Sequence, residues 1–169
     1  MRKRAEKEGT ISIQNISGPI SEMNHHDKQN PKDHSSGPAR VTGIGGIFFK
    51  AKDPGKLMSW YTTHLGVKPE SEGSSTTMFQ WREKEDAKQV GYTVWSIFPH
   101  DTKYFDPSAS PFMINFRVKD LDRLLDQLKR EGVKVDDKRE EYDYGKSGWL
   151  IDPGGNRLQL WEPKGNSPP

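Results

Sequence analysis

The sequence predicts an α+β fold: two paired β-α-β-β-β modules forming a curved mixed sheet around a cleft, with the helices outside. Three observations lead there. The stretch "INFRVKD" at 114–120 repeats "IFFKAKD" at 47–53, with four of seven positions identical and an offset of 67 residues. Each copy runs from a two-residue apolar period into a helical period that closes on a glycine. All the aromatic side chains fall within 41–163, so a core of ordinary domain size is available there although only 31% of the 169 residues are hydrophobic.

The first strand of each copy has one apolar face. Ile47, Phe49 and Ala51 lie opposite Gly46, Phe48 and Lys50, and Ile114, Phe116 and Val118 lie opposite Met113, Asn115 and Arg117. A face that is apolar in both copies packs on a layer, whereas a mixed face lines something. Asp53 and Asp120 then read as helix N-caps, with Pro54 at the first helical position, where its missing N–H costs nothing. Leu121, Leu124, Leu125 and Leu128 form one buried stripe, and Leu57, Met58, Tyr61 and Leu65 form its counterpart. Gly66 and Gly132 end the helices as left-handed residues. Further strands are expected near 67–71, 76–83 and 89–98 in the first copy. In the second they are expected near 133–136, 144–151 and 156–162, with "DPGGN" at 152–156 as the turn before the last.

The domain reading is a polar, disordered tail over 1–40, a folded region over 41–163 and a short tail over 164–169. Within the folded region, modules 41–98 and 111–163 are joined by the loop 99–110. In the tail, His25, His26 and His34 read as solvated side chains, and Met23 offers an alternative start. The net charge of +2, spread without a basic stripe, excludes nucleic acid as a partner. No apolar run approaches the roughly 18 residues that a membrane span needs, so no membrane partner is expected. With no cysteine in the chain, disulfides, thiolate metal sites and cysteine nucleophiles are excluded. The cytoplasm is the expected location.

Two half-cups in one chain, carried by "VTGIGGIFFKAKDPGKLMSWYTTHLGV", "INFRVKDLDRLLDQLKREGV" and "LIDPGGNRLQLWEP", make the region 41–163 resemble the vicinal oxygen chelate superfamily. That superfamily includes glyoxalase I, extradiol dioxygenases, and the bleomycin and fosfomycin resistance proteins. The resemblance implies a cleft between the modules and, in metal-dependent members, one divalent ion held by the first and last strands of each module. Transferred to this chain, the four ligand positions are Gly46, Trp95, Met113 and Gln159. Glycine and indole supply no ligand, and a thioether and a neutral amide are poor partners for iron, zinc, nickel or manganese. No metal and no other cofactor is therefore expected.

Strand parity assigns Phe48, Thr93, Trp95, Met113, Asn115, Arg117, Gln159 and Trp161 to the cleft, joined by Trp149 and by one of Phe79 or Trp81. Aromatic planes with a few amide and guanidinium groups suit a flat, partly polar molecule, and an arginine among them favours an acidic one. The expected function is metal-free binding of an aromatic or acidic small molecule. One alternative is a lyase, isomerase or dioxygenase of the same superfamily with an atypical metal site or none. The other is an interaction protein whose cleft is filled by its own side chains. The resemblance also implies that two chains can pair as a homodimer. His64 is read as a partner for the end of its helix, and His100 beside Asp101 as a residue bordering the cleft. Glu140, Glu141 and Asp143 are read as an exposed charged loop, and Lys146 as lying near the mouth.

Overall fold

The computed structural model describes residues 37–84 and 86–166; the readings made for 1–36 and 167–169 lie outside them. Seven strands and two helices follow in the order β1 (Val41–Ala51), α1 (Pro54–Leu65), β2 (Thr76–Arg82), β3 (Val90–Pro99), β4 (Phe112–Val118), α2 (Leu121–Arg130), β5 (Lys134–Tyr142), β6 (Gly145–Ile151) and β7 (Arg157–Pro163). They form one open sheet with strand order β2-β3-β1-β4-β7-β6-β5. The two modules meet at the antiparallel pair β1–β4, while β1–β3 and β4–β7 run parallel. The expected α+β class and paired modules are therefore present.

Both helices start as their sequences dictate. Asp53 accepts a hydrogen bond from the Lys56 amide at 2.9 Å and Asp120 one from the Arg123 amide at 3.1 Å, each satisfying a free donor of the first turn. Gly66 closes α1 at φ 68°, a conformation that costs a side-chain-bearing residue strain. The second helix is the better packed. Leu121, Leu124 and Leu125 are buried against Val118, Leu150 and Leu160, with Phe116 and Leu158 at the margin. In α1 only Met58 is buried, and Trp60 and Leu65 stay exposed.

Two elements depart from expectation. No strand forms over 67–71. Pro69 has no N–H to give a ladder, and the chain turns at Ser71–Ser74, where the Ser74 amide bonds the Ser71 carbonyl. The first module is therefore β-α-β-β. Conversely, β5 runs on to Tyr142 and takes in Glu140 and Glu141, two of the charges expected in a loop, while Asp143 lies in the turn that follows. Its side chains alternate, but between charges of two faces rather than between apolar and polar residues, so apolar periodicity does not reveal it. A charged outer strand also protects the sheet edge from pairing with other chains.

Candidate functional site

The cleft is built on the sheet face opposite the helices. At one end the loop 100–111 folds over the strands and inserts Phe105, which is wholly buried with Phe48, Met113 and Trp149. Tyr104 of the same loop lies flat on Phe98 at 5.3 Å between centroids and edge-on to Trp149 at 6.2 Å. Arg157 fastens this aromatic plug. Its guanidinium donates to the carbonyls of Tyr104 and Asp106, pairs with the Asp136 carboxylate at 2.8 Å, and sits 5.3 Å above the Trp149 ring.

Beyond the plug the face stays open as a cavity of about 450 Å³. Phe48, Val94, Phe98, Met78, Tyr104 and Trp161 give it apolar walls. Thr76, Ser96, Asn115, Ser147 and Gln159 bring polar groups, and Lys138, Glu140, Tyr142 and Tyr144 form the rim contributed by β5 and its turn. The floor is a hydrogen-bonded chain across three strands. Asn115 Nδ2 donates to Gln159 Oε1 at 3.2 Å, and Gln159 Nε2 donates to Ser147 Oγ at 3.0 Å. On the other module's side, the Thr76 and Ser96 hydroxyls bond each other at 2.7 Å. Asn115 Oδ1 and Trp161 Nε1 are buried without a partner.

Of the nine residues the sequence assigns to the ligand, Phe48, Asn115, Gln159 and Trp161 line this cavity. Met113 and Trp149 belong to the right face, but the plug covers them. Three assignments are corrected. Trp95 lies on the helix side, edge-on to Phe49 at 5.0 Å and Tyr61 at 5.8 Å. Thr93 accepts from the Trp81 indole and donates to the Ile44 carbonyl, outside the cavity. Arg117 lies outside the cavity, where it pairs with Glu83 at 2.8 Å and lies over the Trp81 ring at 4.6 Å.

The register explains the first correction. Phe48 faces Ser96 across β1–β3, as Asn115 faces Gln159 across β4–β7, and Phe48 and Asn115 are repeat equivalents. The counterpart of Gln159 is thus Ser96, one residue from Trp95, and one residue reverses the face. The same slip replaces Phe79 and Trp81 by Thr76 and Met78 on β2.

The residues at the metal positions do not fit an ion. A side chain begun at Gly46 would place its Cβ 2.9 Å from the Phe48 ring, so that ring occupies the room a ligand would need. Met113 is sealed among aromatics, Ser96 is a hydroxyl paired with Thr76, and the Gln159 amide is committed to Asn115 and Ser147. Among the described residues no three His, Asp or Glu side chains gather as a metal cluster.

The remaining candidates resolve simply. His64 stands in the last turn of α1 against Trp60, at 4.9 Å between rings, and His100 is exposed outside the cavity. Lys146 bonds Asp122 and Glu162, which raises its pKa through the Asp122 hydrogen bond first and keeps it a cation rather than a nucleophile.

The tyrosines of the cleft are held neutral. Burial, then the Glu140 charge, pushes Tyr104 up to about 12, and Tyr142 and Tyr144 are raised too, Tyr142 chiefly by its hydrogen bond to Glu140. A buried phenol whose folded pKa exceeds its unfolded value stabilises the fold fully below about pH 10. That contribution is lost as pH climbs toward about 12. Urea unfolding should accordingly show a loss on the order of 2 kcal/mol between pH values of about 9 and about 11.5, much reduced in Tyr104→Phe.

This fold and cleft define a class. Residues 43–160 match the Glyoxalase/Bleomycin resistance protein/Dioxygenase superfamily, and the chain belongs to it. Among solved structures, it resembles methylmalonyl-CoA epimerase in complex with methylmalonyl-CoA and NH4+, at 17% identity and a TM-score of 0.56 over 77% of this chain and 100% of that one. It also resembles a Streptomyces coelicolor methylmalonyl-CoA epimerase variant in complex with 2-nitronate-propionyl-CoA, at 18% identity and a TM-score of 0.56 over 76% and 100% of the two chains. A third likeness is to a superfamily member from Vibrio splendidus 12B01, at 15% identity and a TM-score of 0.47 over 73% and 98%. The two likenesses to methylmalonyl-CoA epimerases bear on the fold alone. No curated protein matches the chain by sequence. No helix among the described residues is long and apolar enough to cross a membrane.

Proposed function

We propose that the protein is a metal-free binder of a flat aromatic small molecule, held in the cleft between the modules. The observation that carries this reading is the cavity of about 450 Å³ with aromatic walls over the Asn115–Gln159–Ser147 chain. A volume in this range with few, placed polar groups is typical of ligand sites. The floor also holds buried polar atoms without partners, where apolar residues would cost less. A ligand gives that polarity a purpose. The room left open favours this reading over a cleft filled by its own side chains. The acidic ligand expected from the sequence loses its support, because Arg117 is already neutralised by Glu83. An enzymatic role would need a reaction carried by amides, hydroxyls, neutral phenols and the paired Lys138 and Glu140 of the rim. The cytoplasm as the place of action and a homodimer as the assembly belong to the same proposal.

The test uses the full chain. Saturation-transfer NMR against a set of bicyclic aromatic compounds should give binders with dissociation constants in the micromolar range, about −8 kcal/mol. Gln159→Leu, which leaves Asn115 and Ser147 unpaired, should weaken those binders about tenfold or more while the fold persists. Dialysis against zinc and manganese should leave both proteins without stoichiometric metal in the cleft. One tightly held ion per chain, removed by Gln159→Leu, would overturn the metal-free reading. Absence of any aromatic binder would overturn the binding one.

A further inference from the structure

The cleft's rim discriminates by charge, and this inference rests on the proposal that the cleft binds an aromatic ligand. We infer that the ligand carries a positive group, an ammonium or amidinium on a flat ring, seated between the rim tyrosines and Glu140. Among the described residues, Glu140 is the one carboxylate lining the cavity. Its Oε2 accepts from the Tyr142 hydroxyl at 3.1 Å, and its Oε1 meets the Lys138 ammonium at 2.5 Å. Tyr142 and Tyr144 stack at 5.1 Å with 15° between planes, and Tyr104 faces the same space from the plug. Phenol faces are electron-rich and attract cations, most strongly where water is thinned out. Burial is the first cause of the raised pKa of Tyr104 and Tyr144, and the hydrogen bond to Glu140 the first for Tyr142, with the Glu140 charge adding to all three.

The arginines near the site are already paired with carboxylates. Arg157 lies behind Trp149, held by Asp136, and Arg117 is paired with Glu83. Among the described residues Lys138 is the only cation lining the cavity, and its side chain is 53% exposed. Glu140 keeps 22% of its side chain exposed, so the pair is partly open to water, which weakens its hold. A ligand cation can therefore take the Lys138 place at Glu140 while Lys138 turns to solvent and keeps its hydration. A ligand anion has no such exchange, since it would face Glu140 and the ring faces of three tyrosines. The two signs of charge are treated unequally by the same few side chains.

Three probes of one shape test this by calorimetry on the full chain: naphthylmethylammonium, naphthylmethanol and naphthoate. The ammonium probe should bind about tenfold tighter than naphthoate or better, with the alcohol between them. Glu140→Gln should reduce that gap to about twofold, and Lys138→Met, which removes the competing cation, should widen it. The opposite directions of the two variants separate a charge effect from a folding defect. If the alcohol binds and the ammonium binds no better, or naphthoate binds best, the charge inference falls while the aromatic-binding proposal stands. If none of the three binds, both fall.

Discussion

Trp149→Ala is expected to lower the stability of the fold by about 3–5 kcal/mol, the cost of emptying a fully enclosed indole site. Trp149 has no exposed surface and is the largest side chain so enclosed. It meets Tyr104 edge-on, carries the Arg157 guanidinium on one face, and shares its cluster with Phe48, Phe105 and Met113. Little can collapse into the space, because the neighbours belong to a paired sheet and to a loop that is itself pinned. Trp149→Phe should cost much less. Its ring keeps most of the contacts, and the indole Nε1 it removes is a buried donor without a partner. Urea unfolding of the two variants gives both numbers. A loss under about 1 kcal/mol for the alanine variant would mean that the plug does not seat in solution as described. If it seats, ligand affinity in the phenylalanine variant should change little, since Trp149 does not line the cavity.

The split between plug and cavity was not visible in the sequence, although most of the fold was. The repeat with offset 67, the two Asp caps and the leucine stripe of α2 place both modules and both helices, because each rests on a local rule. For the second module the faces follow too: Asn115, Gln159 and Trp161 reach the cavity as parity requires. The first module fails at β3, where "VWSIFP" carries large apolar residues on both faces and so gives no internal mark of register. The transferred ligand position therefore falls on Trp95, one residue from Ser96, which holds that place. Arg117 failed differently. Its strand and face are right, but its partner Glu83 comes from beyond β2, and no sequence pattern announces that pairing. Lys138, Glu140, Tyr142 and Tyr144 were missed because their strand alternates among polar residues. The available signal was the alternation of Lys138, Glu140 and Tyr142 themselves, followed by the turn at Asp143–Tyr144. The sequence shows that the loop 99–110 carries two aromatics, but whether a loop covers a cleft depends on an anchor. Here that anchor is Arg157, far along the chain.

Arg157→Met should therefore release the plug, with a loss of about 2–4 kcal/mol. The arginine is 8% exposed and joins three separate pieces of chain: loop carbonyls at Tyr104 and Asp106, the β5 carboxylate of Asp136, and the β6 ring of Trp149. Methionine keeps the apolar contact with the indole and nothing else. The two carbonyls then lose their donor, whereas Asp136, 37% exposed along its side chain, recovers water, which holds the loss below that of a fully buried broken pair. Arg157→Lys should rescue little, because one compact ammonium cannot span two carbonyls and a carboxylate that a planar guanidinium serves together. The two consequences can be read separately. Limited proteolysis should open the Arg157→Met protein at Lys103 while leaving the Trp149→Phe protein intact. Calorimetry with an aromatic ligand should show weakened binding, because Tyr104 is a wall of the cavity and Arg157 is not. Loss of stability without either change would make Arg157 a part of the core only. Loss of all three together ties the loop's anchorage to the shape of the site.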